Sequence, residues 1–132
     1  MAAGRWFLTI AALYGASGVM LGAFGAHALS ARLGGGLATW QTAVSYHLIH
    51  ALALLGVGLW LRFAMADAAA TPHLPLTLAG WSFVAGVLLF SGSLYVLALG
   101  GPRIFGPITP LGGIAFMIGW LALAWAAVRS AP

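Results

Sequence analysis

The sequence predicts an all-α membrane protein, an antiparallel four-helix transmembrane bundle of up-down-up-down order. The composition is 63% hydrophobic and only 5% charged, whereas a soluble domain carries about 25% charged residues. Four apolar stretches are each long enough to cross a bilayer, which takes about 20 residues. The connections between them are short, which makes successive helices antiparallel neighbours. The 132 residues therefore form one transmembrane domain.

The four predicted spans cover about residues 6–29, 39–61, 76–99 and 110–128. Glycine and proline within them are compatible with helix, because membrane helices tolerate both. Residues 30–36, 67–75 and 100–107 carry the glycine, proline and charged side chains of loops. Thr39 and Thr109 are the predicted N-caps, and Pro110 suits a first helical turn, where its missing N–H would be unpaired anyway.

The arginines predict the orientation of the protein. An even number of spans places both termini on one side, together with Arg5, Arg62, Arg129 and the acidic Asp67. The opposite side carries Arg32 and Arg103. Because cytoplasmic loops are enriched in basic residues, three arginines against two favour cytoplasmic termini.

The first span has a competing interpretation as a cleaved signal peptide. Arg5 precedes an apolar run that ends in Ala26-His27-Ala28, an A-x-A pattern. The apolar run is longer than the 7–15 residues of a usual signal-peptide core, so a retained membrane helix is preferred.

Several function classes are excluded or disfavoured by composition. The chain has no cysteine and therefore no disulfide, thiolate nucleophile or cysteine zinc site. Its arginines are scattered singly, whereas nucleic-acid binding needs a clustered basic face. Ser91 or Ser93 with His47 or His50 imitates a nucleophile and base, but no intramembrane acid is present to orient the imidazole. We therefore expect no enzymatic activity.

Small residues predict where the helices approach closely. In lipid, helices associate through close backbone contact rather than through apolar burial. Four glycines of the first span are spaced by three, four and three residues and share one helical stripe: Gly15, Gly18, Gly22 and Gly25. Gly112 and Gly119 form a shorter stripe on the fourth span. We expect packing within the bundle, with a homodimer seam as the alternative.

Polar residues concentrate in the half of the membrane away from the termini. Tyr46, His47 and His50 lie within one sector of the second helix, at about 100° per residue. The same depth range holds His27 at the end of the first span, Ser91 and Tyr95 on the third, and Thr109 at the mouth of the fourth. Ionisable groups inside a bilayer are costly, so the cluster is a candidate ligand-binding site.

Three interpretations of this cluster remain open. The first is an internal hydrogen-bond network that sets helix register and binds nothing. The second is a metal or haem site built from His47, His50, Met20 and Met117, because imidazole suits zinc, copper and iron, and thioether sulfur suits Cu(I). The third is a pocket for a quinone or other small molecule, or the path of a small transporter, since transport sites favour polar groups at midplane depth. The sequence identifies no particular cofactor.

Four sequence blocks carry a family resemblance. They are GAFGAHAL at residues 22–29, WQTAVSYHLIHALALL at 40–55, LFSGSLY at 89–95 and ITPLGG at 108–113, the last running on to Gly119-Trp120. In this order they resemble the domain of unknown function 423 family, whose animal members are called transmembrane protein 256. The resemblance implies a bacterial-type inner-membrane protein of about four helices, and it implies no activity, substrate or cofactor. Residues 67–75 lie outside these blocks.

The preferred function is that of an accessory or assembly component of a complex in the cytoplasmic membrane. A chain with so little mass outside the membrane acts chiefly through its lipid-facing surface and its interior. The expected partners are the lipid bilayer and either a larger membrane complex or further copies of the chain. The alternative is a binding protein that uses the His/Tyr cluster.

Overall fold

The computed structural model describes residues 2–63 and 73–130 and contains four helical stretches long and apolar enough to cross a membrane. These stretches are Ala3–His27, Ser30–Phe63, His73–Ala98 and Arg103–Arg129. The helices are α1 (Ala2–His27), α2 (Ser30–Leu33), α3 (Leu37–Phe63), α4 (His73–Gly86), α5 (Gly92–Ala98) and α6 (Ile108–Arg129). The predicted all-α fold with four membrane-spanning helices is confirmed.

Helical structure extends further into the connections than the sequence predicted. Residues 30–36 form α2 and a 3-10 turn, Gly34–Gly36, and α3 begins at Leu37, so Thr39 is not its N-cap. The residue before α6 is Pro107, and Thr109 lies inside the helix, so the predicted cap at Thr109 is also wrong. Of the predicted loop 67–75, residues 67–72, including Asp67, lie outside the described residues, and residues 73–75 already belong to α4.

One glycine with a positive φ closes the third span. Gly100 has φ 78°, a left-handed conformation that costs glycine little, and its N–H donates to Leu97 O over 3.0 Å. The next N–H, from Gly101, donates to Val96 O over 2.9 Å. Both bonds satisfy carbonyls that the helix end would leave unpaired.

The third span contains a short π-helical segment. Residues Val87–Ser91 are wound as a π-helix between α4 and α5, and the N–H of Gly92 bonds to the carbonyl of Val87 five residues earlier. Such segments hold one extra residue in a turn and are often found at functional sites. No feature of the sequence pattern indicated this segment.

The third span and α3 form the centre of the bundle. α3 packs against α4 and α5 directly, while α1 rests mainly on α3 and α6 mainly on α4 and the π-helical segment. The buried share of the most apolar stretch is accordingly 39% in the span containing α3 and 17% in α1. α1 is thus the least enclosed helix of the bundle.

Three of the four glycines of α1 pack against α3. A Cβ built on Gly18, Gly22 or Gly25 would meet, in that order, Leu48, Val44 and Trp40. A Cβ on Gly15 would meet nothing within 4 Å, so Gly15 is an exception to the predicted stripe. Gly18, Gly22 and Gly25 allow close helix contact, whereas Gly15 lies open on the surface of α1.

Glycines of α4 and α6 pack against phenylalanines of the neighbouring span. Phe83 lies against Gly119 of α6, Phe116 lies against Gly86 of α4, and the backbone of Phe90 approaches Gly112. A Cβ on Gly112 would lie 2.7 Å from Phe90 Cα, which is closer than real Cβ contacts. Each of these two spans, α6 and the third span, therefore contributes at least one phenylalanine that packs against a glycine of the other.

The contacts pair the beginning of one span with the end of its neighbour. Gly4 approaches Leu61 at one end of α1 and α3, and Gly25 approaches Trp40 at the other. Within the third span and α6, Phe90 faces Gly112, and Ser93 bonds to Thr109 near the start of α6. The up-down-up-down order of the spans across a bilayer stays a prediction.

We predict that alanine substitution separates the packed glycines from the open one. Gly112→Ala should lower the free energy of unfolding by about 1–3 kcal/mol, the usual range for overpacking a core, because the added methyl group meets the Phe90 backbone. Gly15→Ala should leave stability unchanged or raise it by up to about 1 kcal/mol through helix propensity. Reversible unfolding in mixed micelles measures both variants. Equal destabilisation by the two substitutions would contradict this packing.

Candidate functional site

His47 lies between three spans and has a hydrogen-bond partner for each ring nitrogen. Its Nε2 is 3.3 Å from Ser17 Oγ on α1, and its Nδ1 is 3.1 Å from the Tyr95 hydroxyl on α5. The Ser17 hydroxyl donates to the Leu13 carbonyl over 2.8 Å, which leaves its lone pairs for the His47 Nε2–H. The Tyr95 hydroxyl then donates to Nδ1. The imidazole links α1, α3 and α5.

Tyr14 completes the surroundings of His47. Its ring meets the imidazole edge-to-face, with centroids 5.4 Å apart and planes at 86°. Its hydroxyl donates to the carbonyl of Val84 over 3.1 Å, just before the π-helical segment. Tyr14 therefore adds a second polar link between α1 and the third span.

His50 lies one turn further along α3 and contacts a different set of helices. The indole N–H of Trp120 on α6 donates to His50 Nε2 over 3.1 Å. Because an indole nitrogen only donates, Nε2 accepts, and the proton on Nδ1 is donated to the Tyr46 carbonyl over 2.7 Å. The ring stacks on Phe116 with centroids 3.5 Å apart and planes at 10°. The imidazole is neutral, and both nitrogens are used inside the bundle.

The predicted common cluster is therefore divided into separate groups. His47 bonds to residues of α1 and α5, whereas His50 bonds to α6 and to its own helix. Ser91 is fully buried and donates to the Ala43 carbonyl over 2.8 Å. Each of these groups joins helices, and they do not surround one shared space.

Thr109 and His27 do not join either histidine. The Thr109 hydroxyl lies 2.6 Å from Ser93 Oγ, which in turn donates to the Phe90 carbonyl over 2.9 Å. This pair links α5 to α6 and includes Ser93, which is not part of the predicted cluster. His27 is exposed at the last residue of α1. A ligand-binding role for either residue stays a prediction.

The geometry does not assemble the predicted metal site. Met20 is 68% exposed on α1 and Met117 is 59% exposed on α6, while the nitrogens of His47 and His50 face other partners. Among the residues that the structure describes, no group of three or more histidine, cysteine or acidic side chains is placed to hold a metal ion. These histidines are built to donate and accept hydrogen bonds between helices.

Tyr46 instead borders a groove between α3 and α6. The groove has a volume of about 510 Å³, within the range of small-molecule sites, and opens on the side of the bundle. Tyr46 is 41% exposed, and its ring lies 4.5 Å from that of Phe90 and 6.0 Å from that of Phe116. His50 and Trp120 also line this groove, so two residues of the predicted cluster, Tyr46 and His50, border the same aromatic surface.

Sequence comparison identifies the family. Residues 21–113 match the family described as Protein of unknown function (DUF423). The chain belongs to this family. It is 43% identical over 124 residues to the UPF0382 membrane protein YwdK of Bacillus subtilis (strain 168), which covers 93% of this chain and 96% of the relative. It is 38% identical over 129 residues to the UPF0382 inner membrane protein YgdD of Escherichia coli (strain K12), with 95% and 91% covered. No solved structure matches.

Membership in the DUF423 family confirms the resemblance seen in the four sequence blocks. Its bacterial relatives are named membrane proteins, which agrees with four apolar helices and a multi-pass membrane protein in contact with lipid. The family description carries no activity to this chain.

Four residues that hold the polar groups together were missed by sequence reasoning: Tyr14, Ser17, Trp40 and Trp120. The indole N–H of Trp40 donates to the Leu21 carbonyl over 2.9 Å and so ties α3 to α1. Trp120 lies in the middle of α6, and an indole far from either interface is the signal that could have revealed it. Ser17 lies about 100° around the helix from Gly18 of the packing stripe, so the stripe did not indicate its contact with α3.

We predict a measurable coupling between His50 and Trp120. A double-mutant cycle of His50→Phe and Trp120→Phe should give about 0.6 kcal/mol and at most about 1.7 kcal/mol, the range of interhelical bonds in membrane proteins. The free energy of unfolding in mixed micelles is measured for the wild type, the two single variants and the double variant. Trp125→Phe in place of Trp120→Phe is the control and should show no coupling, because the ring of Trp125 faces Arg129. Absence of coupling to Trp120 would contradict the hydrogen bond.

Proposed function

We propose that this protein is a non-catalytic accessory or assembly component of a larger complex in the cytoplasmic membrane. The observation that supports the proposal is the use of both ring nitrogens of His47 and of His50 within the bundle. Polar groups that are satisfied internally specify helix register and leave little chemistry for a substrate in the bundle interior. Among the described residues, the outer surface of the helices is what remains available for contact with other molecules.

The contact face best suited to a partner lies between α1 and α3. A groove of about 470 Å³ is lined on α1 by Ala11, Ala12, Gly15 and Val19, and on α3 by Leu48, Ala51, Leu52 and Leu55. A Cβ on Gly15 would meet nothing within 4 Å. Small residues on a lipid-facing surface allow another transmembrane helix to come close and to gain dispersion contacts. The proposed occupant is a helix of a different membrane protein.

We predict that site-specific photo-crosslinking from this groove captures one partner. A photoreactive phenylalanine at Leu52, which is 68% exposed in the groove, should form a discrete adduct with another membrane protein in native membranes. The same label at Leu121, 71% exposed on α6 and outside the groove, is the control and should give no such adduct. Gly15→Leu should abolish the Leu52 adduct by filling the groove, while the free energy of unfolding stays within about 0.5 kcal/mol of wild type.

Two results would contradict the accessory role. An adduct of the chain with itself would identify a homo-oligomer seam, and labelling confined to lipid would leave the groove without a protein partner. Mass spectrometry of the adduct distinguishes these outcomes.

A second candidate function is the binding of a flat, ring-containing membrane molecule of the quinone type. It is favoured by the aromatic groove of about 510 Å³ that Tyr46 borders between α3 and α6. Phe90, Phe116 and Trp120 supply aromatic faces and edges for a planar ring, and the Tyr46 hydroxyl is a hydrogen-bond donor suited to a quinone oxygen. This function would share only Tyr46 and His50 with the predicted ligand-binding cluster, and only His50 and Met117 with the predicted metal site.

We predict that filling the aromatic groove removes such a ligand. Ile114→Trp places a large ring in the groove and should lower the quinone retained per chain by at least about tenfold, which corresponds to about 1.4 kcal/mol. Leu121→Trp makes the same kind of change on the exposed side of α6 and should retain it. Solvent extraction of protein purified in lipid nanodiscs, followed by absorption spectroscopy, measures the content. Equal quinone content in both variants would contradict a site in this groove.

A further inference from the structure

A second cavity lies at the end of the bundle that carries the beginning of α1. Its volume is about 440 Å³, and it forms where α1 begins, α3 ends and α4 begins. Arg5 of α1, Arg62 of α3 and His73 of α4 line it, together with Thr77 and the exposed ring of Phe63. Three separate helices thus bring nitrogen donors to one concave space.

The charge of the sequence keeps this cavity basic. Asp67 is the single acidic side chain among 132 residues, against five arginines. One carboxylate can neutralise at most one of the two guanidinium groups that line the cavity. The pair therefore keeps at least one positive charge that no acidic side chain balances, and each guanidinium carries several donors in a planar fork that matches a phosphate group.

The lining residues lie within the first or last five residues of their spans, which sets the depth of the cavity. The membrane-spanning stretches begin at Ala3 and His73 and end at Phe63. Trp6, which follows Arg5, is 61% exposed, and exposed tryptophans favour the headgroup level of a bilayer. The cavity therefore faces the layer where lipid phosphates lie, with Phe63 and Leu61 providing apolar contact beside the arginines.

We propose that this cavity binds the phosphate group of an anionic phospholipid, held by Arg5 and Arg62 with His73 as a further donor. Basic pockets between transmembrane helices at the membrane surface are suited to such headgroups. The shared chemistry is a phosphate oxygen anion, and a soluble phosphate is the other source that could supply it. The site is separate from both side grooves and from the histidines of α3.

The test compares two double variants with equal loss of charge. Arg5→Gln with Arg62→Gln removes the guanidinium groups of the cavity, whereas Arg32→Gln with Arg103→Gln removes two exposed arginines elsewhere in the chain. Each full-length protein is reconstituted in nanodiscs of phosphatidylcholine with phosphatidylglycerol, and retained lipid is counted by native mass spectrometry. The cavity variant should bind phosphatidylglycerol about 25-fold more weakly than wild type, at about fivefold for each arginine, and the control should match wild type.

A separate arm identifies the source of the phosphate. Inorganic phosphate is titrated into the protein in phosphatidylcholine nanodiscs by calorimetry, and we expect no saturable binding at concentrations where phosphatidylglycerol is retained. Saturable binding of phosphate tighter than that of the lipid would overturn the lipid as the ligand. Equal losses in the two double variants, or no preference for phosphatidylglycerol in the wild type, would overturn the site itself.

Discussion

The satisfaction of polar groups inside an apolar medium is the constraint on which this fold depends. His47 and His50 are one turn apart on α3, yet they bond in different directions, to α1 and α5 in the first case and to α6 in the second. In hydrocarbon an imidazole without partners costs several kcal/mol, so each ring fixes the rotation of the helices that satisfy it. α3 thereby sets the position of the other three spans, and close glycine contacts follow from that arrangement.

The number and approximate positions of the spans were predictable, because apolar composition and the length needed to cross a bilayer determine them almost directly, but the helical structure of residues 30–36 was not. The polar residues were predictable as a set but not in their pairing. Helix phase places His47 and His50 in one sector, about 60° apart, and that angle is enough to direct them to different neighbours once helices stand on both sides. Partners such as Ser17 and Trp120 lie on other spans, so they depend on rotations that a single sequence does not specify. The open position of Gly15 was missed for the same reason.

The hydrogen-bonded polar groups of this protein lie in its interior, whereas its grooves lie on its outer surface. The interior is closed by aromatic rings seated on glycines, such as Phe83 on Gly119 and Phe116 on Gly86, and its polar atoms are bonded to one another. The concave surfaces lie on the outside, between α1 and α3, between α3 and α6, and at the basic end near Arg5 and Arg62. A protein arranged in this way meets its ligands and partners laterally or at the membrane surface.

The wide turn of the π-helical segment Val87–Ser91 determines how the second half of the third span is rotated about its axis. A helix advances by about 100° with each residue, so without the wide turn the additional residue would rotate everything downstream by about that angle relative to α4. Tyr95 faces His47 and Ser93 faces Thr109 only because this offset is present. The same residues wound as an uninterrupted α-helix would turn both side chains toward different neighbours, whereas a chain shortened by one residue at this point would keep their orientation in a regular α-helix. The number of residues between Gly86 and Gly92 therefore determines the directions of the side chains that follow, as much as the residue types do.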